Sequence, residues 1–379
     1  MNGRHAGPHK RAYTAVVLVA VALLVAGLGV WAGGLDGTAG NGDDARSPGR
    51  DLPRNAASGG LPTGSCAPDE KLVAGCGAWW GAYIPYDRNS SLTKPVYAFE
   101  KKIGRKLDLV YTYHDMSGGK ADGELLTADE QELGKDRLLM LAWESTVWKE
   151  PHHANYTETQ LGWKNIAAGK YDAKIIDPQI RRLKAYGKRV FFSFDQEVDA
   201  RIKEGAGTPA EYVAAYRHLY DRFRKLGADN AVWVWTVSGY LGSADAMKQL
   251  YPGDDYVDWI GMDQYNYFGC HDTTDWNDFD ESQRPTYDWL LENISAKKPL
   301  MMAEFATAPD PADPDRQRGW YSAIPEAIRT MPKVKAMVQW NRATSAEAKC
   351  DLTVNEGPAL EGYRKAGGDR YFKQTVPSR

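Results

Sequence analysis

The chain has 379 residues, 43 % of them hydrophobic, enough for one large core and some accessory sequence. Its 47 basic and 50 acidic residues give a net charge of -3, without the basic excess a nucleic-acid binder needs. Thirteen Trp and twenty-one Tyr instead supply flat faces that stack on sugar rings, which points to a carbohydrate partner or, for any single ring, to ordinary core packing.

Residues 1–35 open with Arg4, Lys10 and Arg11, and no charge follows between Ala12 and Leu35. This predicts an export segment, either a signal peptide cut after Ala32 or an uncleaved transmembrane anchor, with everything after it outside the cytoplasm. Residues 36–65 are rich in Gly, Asp, Pro and Ser and predict a flexible linker. The remaining chain, 66–379, is expected to form a single catalytic domain and a monomer. Its four cysteines, Cys66, Cys76, Cys270 and Cys350, lie in a disulfide-permitting compartment on this reading. Pairing of Cys66 with Cys76 and of Cys270 with Cys350 is favoured over the other connectivities and over free thiols, and the spacing does not suit zinc.

From residue 77 onward, apolar runs recur at 77–84, 107–113, 137–143, 188–194, 231–237, 256–262, 299–305 and 335–341. Between several of them lie amphipathic stretches, the clearest at 208–227, which starts on a Thr cap and Pro209 and stops at Gly227. Eight strands alternating with helices predict an α/β fold, a closed (β/α)8 TIM barrel, with an open doubly wound sheet as the runner-up.

Reacting groups of such barrels stand at the C-terminal strand ends, which selects Asp115, Glu144, Asp195, Glu197, Asp199, Asp263 and Glu304. Glycoside hydrolysis needs two carboxyl groups facing across a cleft, and strands four and seven of an eight-strand ring lie opposite each other. Glu197 and Glu304 meet that condition; a structural carboxylate is the bland alternative for either one alone. No HExxH, phosphate loop or GxSxG elbow competes, no cofactor or metal is implied, and His152 and His153 read as loop residues.

The segments LAWE (141–144), QEVD (196–199), GTPAEYVAAYRHLYDRF (207–223), AVWVW (231–235), YPGDDYVDWIGMDQYN (251–266), KPLMMAEF (298–305) and VQWN (338–341) resemble glycoside hydrolase family 26. That family includes β-mannanases, mixed-linkage β-glucanases and β-1,3-xylanases. The resemblance implies a retaining double displacement on a β-linked polysaccharide, with Glu304 as nucleophile, Glu197 as acid/base, Tyr265 bonded to the nucleophile and Trp340 under the reacting sugar. Trp143, Trp235 and Trp80 are further cleft candidates beside the core alternative. The family usually has His before the acid/base where this chain has Gln196, which can bond a sugar hydroxyl but cannot titrate. The altered Asp195–Asp199 stretch leaves a glycan-binding barrel without catalysis as the alternative function. A barrel acting on phosphorylated sugars would prefer a phosphate-binding glycine pattern and a lysine. The β-glycan, its linkage and the endo or exo mode are not legible.

Overall fold

A computed structural model describes residues 66–377 except 88–89, 120, 149–158, 203–204, 271–272 and 344–349. The expected export segment and linker, and His152 and His153, lie outside the described residues. Among those described, no helix is long and apolar enough to cross a membrane.

Eight parallel strands close a barrel: β1 (Trp79–Tyr83), β2 (Leu109–Asp115), β3 (Leu138–Glu144), β4 (Val190–Phe194), β5 (Ala231–Val237), β6 (Trp259–Asn266), β7 (Leu300–Thr307) and β8 (Val334–Trp340). Each pairs with its neighbours in sequence, and β8 returns to β1, so no edge is left unpaired. The closed ring settles the barrel against the open sheet. All eight predicted strands are present. The sixth starts three residues late because the chain is still turning up to Tyr256, whose amide donates to the Gly253 carbonyl.

Alternation along each strand divides the apolar residues into two cores. One phase, with Trp79, Leu109, Tyr111, Leu138, Met140, Phe191, Val232, Val234, Trp259, Met301 and Val338, fills the barrel. The other, with Trp80, Val110, Leu141, Trp143, Phe192, Trp235 and Met302, packs under the helices. Gly81, on the inward phase, lets β1 and β2 approach closely: a Cβ there would sit 2.7 Å from the Leu109 carbonyl oxygen.

The predicted helix runs over Pro209–Leu226 with the Thr208 hydroxyl accepting from the Glu211 amide and the Glu211 carboxylate accepting from the Thr208 amide. Gly227 ends it at φ 71°, a left-handed conformation that glycine adopts without penalty. Buried Tyr212, Tyr216, Leu219 and Phe223 form the face against the barrel. Both favoured disulfides are formed, Cys66–Cys76 with Cα atoms 4.9 Å apart and Cys270–Cys350 with Cα atoms 5.5 Å apart.

Candidate active site

The C-terminal ends of the strands gather Glu144, Asp195, Gln196, Glu197, Asp263, Tyr265, Glu304 and Trp340 around one mouth. Glu304 reaches it through an irregularity in β7. Met302 pairs with Met262 of β6, but Glu304 pairs with the very next residue, Asp263, so Ala303 is extra. On the β8 side, Met337 pairs with Met302 and Gln339 with Phe305, again leaving one residue more on β7. A bulge of this kind re-aims the side chain that follows it. Ala303 belongs to the barrel interior and Phe305 to the outer core, and Glu304 between them turns inward onto two phenols.

Those phenols are Tyr113 of β2, donating to Oε1, and Tyr265 of β6, donating to Oε2. Burial pushes the Glu304 carboxyl up to about 7; the two phenols pull against that rise, and the nearby Glu144 adds to it. Asp263 lies beside it, 1 % exposed, and neither of its oxygens meets a side-chain donor among the described residues. Burial first, then the charges of Glu304, Glu197 and Asp199, drives the Asp263 carboxyl far above the usual range, toward the neutral acid. Glu304 and Glu197 therefore share one electrostatic environment centred on Asp263.

Glu197 stands at φ 51° and Asp195 at φ 49°, two left-handed non-glycine residues on either side of Gln196. Such conformations cost on the order of 1–3 kcal/mol each and persist only where the surroundings enforce them. Asp195 is fully buried and accepts from the Ser145 amide and hydroxyl and the Trp163 indole, each at 2.6 Å. Asp199 accepts from the Ser238 amide at 2.8 Å and hydroxyl at 2.5 Å, tying the short helix Val198–Arg201 to the end of β5. Arg201 contacts Glu144 at 2.8 Å and donates to the Gln196 carbonyl at 3.2 Å. Gln196 in turn donates its amide nitrogen to Glu144, which leaves its buried Oε1 without a partner among the described residues. The segment carrying Glu197 is thus anchored on both sides.

Trp340 continues the inward phase of β8 and stacks on Tyr83 at 4.2 Å with 15° between planes. Tyr267 stacks on Tyr265 at 4.9 Å. The other three tryptophans are not in this cleft. Trp80 packs on Tyr363 and Phe372, Trp143 on Phe192 with its indole donating to the Asp115 carbonyl, and Trp235 on Tyr251. All three lie on the outward phase, fully buried beneath the helices. The strand alternation that places them there is readable in the sequence: Trp80 is out of phase with Tyr83, and Trp143 with Glu144.

Tyr113 and Asp263 complete the surroundings of Glu304, and sequence reasoning gave neither a role there. The sequence offers Asp263 only as a strand-end carboxylate. The signal for Tyr113 was its inward phase near the end of β2, shared with Tyr111. The bulge that brings Glu304 to it has no sequence signature. Among the described residues, no cluster of three or more His, Cys, Asp or Glu residues could hold a metal ion.

Residues 176–284 match the family model for glycosyl hydrolase family 26, a span that includes Glu197, Asp263 and Tyr265. Endoglucanase H of Acetivibrio thermocellus is 29 % identical over 76 % of this chain and 30 % of its own length. The β-1,3-xylanase TXYA of a Vibrio species is 34 % identical over 39 % of this chain and 32 % of its own length. The chain thus spans about a third of the curated relatives it matches. Among solved structures, the family 26 domain of an endo-β-mannanase/endo-β-glucanase from Prevotella bryantii superposes with a TM-score of 0.55 at 16 % identity, over 80 % of this chain and 92 % of that domain. A ruminal endo-β-1,4-mannanase of the same family gives 0.54 at 15 % identity, over 78 % of this chain and 64 % of its own. At these identities the likeness concerns the fold.

Proposed function

The chain belongs to glycosyl hydrolase family 26, and from that premise we propose that it cleaves a β-linked polysaccharide with retention of anomeric configuration. The observation that carries the reading is Glu304, re-aimed by the β7 bulge into the barrel mouth and held by two phenols, beside an Asp263 on which the charges of both Glu304 and Glu197 act.

In the first step, Glu304 attacks the anomeric carbon while Glu197 gives its proton to the departing oxygen. The glycosyl ester that forms removes the charge of Glu304. In the second step, Glu197 takes a proton from water, the water oxygen bonds to the anomeric carbon, and Glu304 leaves with the electron pair. Burial and the neighbouring charges push Asp263 toward its neutral form, which lessens the negative charge that the site must hold. Gln196, fixed by Glu144 through its nitrogen, has an Oε1 that meets no partner among the described residues and would accept from a sugar hydroxyl, and Trp340 with Tyr83 offers an aromatic floor.

The printed activities of the relatives, endoglucanase, β-1,3-xylanase and β-mannanase, make β-glucan, β-1,3-xylan and β-mannan the candidate polymers. Residues 66–379 are proposed as the catalytic domain. Two disulfides support an oxidising, extracytoplasmic setting.

The test is product analysis of the purified 66–379 domain on those three polymers and on bacterial exopolysaccharides, with Glu304→Ala alongside. Oligosaccharides released by the wild type alone are expected. Intact binding to one polymer with no release would favour the glycan-binding barrel, the reading kept open by Gln196 and its altered neighbours.

A further inference from the structure

Glu304 carries one phenol on each oxygen, and the second, Tyr113, lies outside the matched residues 176–284. Its ring is held on three sides: Tyr111 at 4.4 Å, Tyr83 edge-on at 5.2 Å and 82°, and Trp340 edge-on at 5.6 Å and 88°. A ring so caged keeps its position whether or not it bears a hydroxyl. What the hydroxyl adds is a bond to Oε1, and a bond from a neutral donor to an ionised acceptor is stronger than one between neutral groups.

We propose that Tyr113 is a positioning residue for Glu304 whose hydroxyl acts chiefly in the second half of the reaction, by stabilising the carboxylate as it leaves the glycosyl ester. The proposal rests on Glu304 being the nucleophile. Before attack, the Tyr113 bond stabilises the charge that attack must spend, so it offers the first step little. In the ester, Oε1 and Oε2 share no charge and both phenols bond weakly. As the C–O bond to Glu304 breaks, its electron pair returns to the carboxylate, the water proton passes to Glu197, and both phenols regain a charged acceptor. An interaction stronger in the transition state than in the state before it accelerates that step.

The titratable groups facing Glu304 are Tyr111 and Tyr113 from β2, Glu144 from β3, Glu197 beyond β4, and Asp263, Tyr265 and Tyr267 from β6 and the loop after it. Among the described residues, only the Tyr113 and Tyr265 side chains bond its carboxylate directly and hold it down against burial. Loss of the Tyr113 hydroxyl therefore also raises the pH at which Glu304 ionises.

The experiment is Tyr113→Phe, followed by stopped-flow and steady-state kinetics on an aryl β-glycoside with a good leaving group, with Glu304→Ala and Tyr113→Leu in parallel. Expected for Tyr113→Phe are a burst of phenol, kcat lowered about ten- to a hundredfold, KM lowered with it, and the acid limb of kcat/KM moved to higher pH. Tyr113→Leu, which also removes the ring, should add a rise in KM that Tyr113→Phe lacks. Equal loss of kcat and kcat/KM in Tyr113→Phe, with no burst and an unmoved acid limb, would overturn the role. Wild-type rates in Glu304→Ala would instead overturn the nucleophile assignment on which it rests.

Discussion

At the level of single residues, the unusual feature is a nucleophile candidate whose ionisation is opposed by its own surroundings. Burial and Glu144 push the Glu304 carboxyl up to about 7 despite two phenol donors. With Glu304 attacking as the carboxylate, as proposed, activity should be present above that pH and lost as pH falls through it. The kcat/KM profile should therefore show its acid limb near neutrality rather than in the usual carboxylate range, and Tyr265→Phe should move that limb further up. A limb near pH 4.5 in the wild type would contradict the account of Glu304's surroundings. Glu197 faces a separate demand, because its proton matters only when the leaving group is poor. Glu197→Ala should lose several hundredfold or more on polysaccharide yet keep most of the first-step rate on an activated aryl glycoside; comparable losses on both substrates would remove it from the acid role.

Elements position these residues, and here the sequence was partly transparent. The apolar runs expose all eight strands, and the carboxylates that follow them place Glu197 and Glu304 at the C-terminal rim of the barrel. Facing was the weaker inference. Trp80, Trp143 and Trp235 sit in strands that border the site but point to the helices, since alternation rather than proximity decides which side of a strand meets the cleft. The bulge at Ala303 and the left-handed pair Asp195 and Glu197 were beyond reach, because each depends on contacts with other strands. The close approach of β1 and β2 gives an element-level prediction: Gly81→Ala forces a methyl against the Leu109 carbonyl and should destabilise the barrel by about 1–3 kcal/mol in denaturant unfolding. Thr208→Ala should cost about 1 kcal/mol by breaking the capping box, with activity unaffected at temperatures below unfolding.

Over the whole molecule, closure of the barrel makes the rim a single surface, and the disulfides fasten its two ends differently. Cys66–Cys76 closes a short loop at the entry to β1, whereas Cys270–Cys350 joins loops 80 residues apart, beyond β6 and β8. The second bond packs with Ala306, Ala308 and Leu352 directly against Tyr265, Tyr267 and Trp340. Paired replacement of Cys270 and Cys350 by Ser should therefore lower stability by about 2–4 kcal/mol and reduce kcat/KM as well, read by thermal unfolding and kinetics together. Replacement of Cys66 and Cys76 should lower stability alone. The central claim, a covalent glycosyl ester on Glu304, is tested most directly by incubating the 66–379 domain with activated 2-deoxy-2-fluoro glycosides of glucose, mannose and xylose and mapping any adduct by peptide mass spectrometry. One glycosyl unit on the peptide that contains Glu304 is the result predicted. An adduct on another carboxylate, or turnover that releases product of inverted configuration with no adduct, would contradict it.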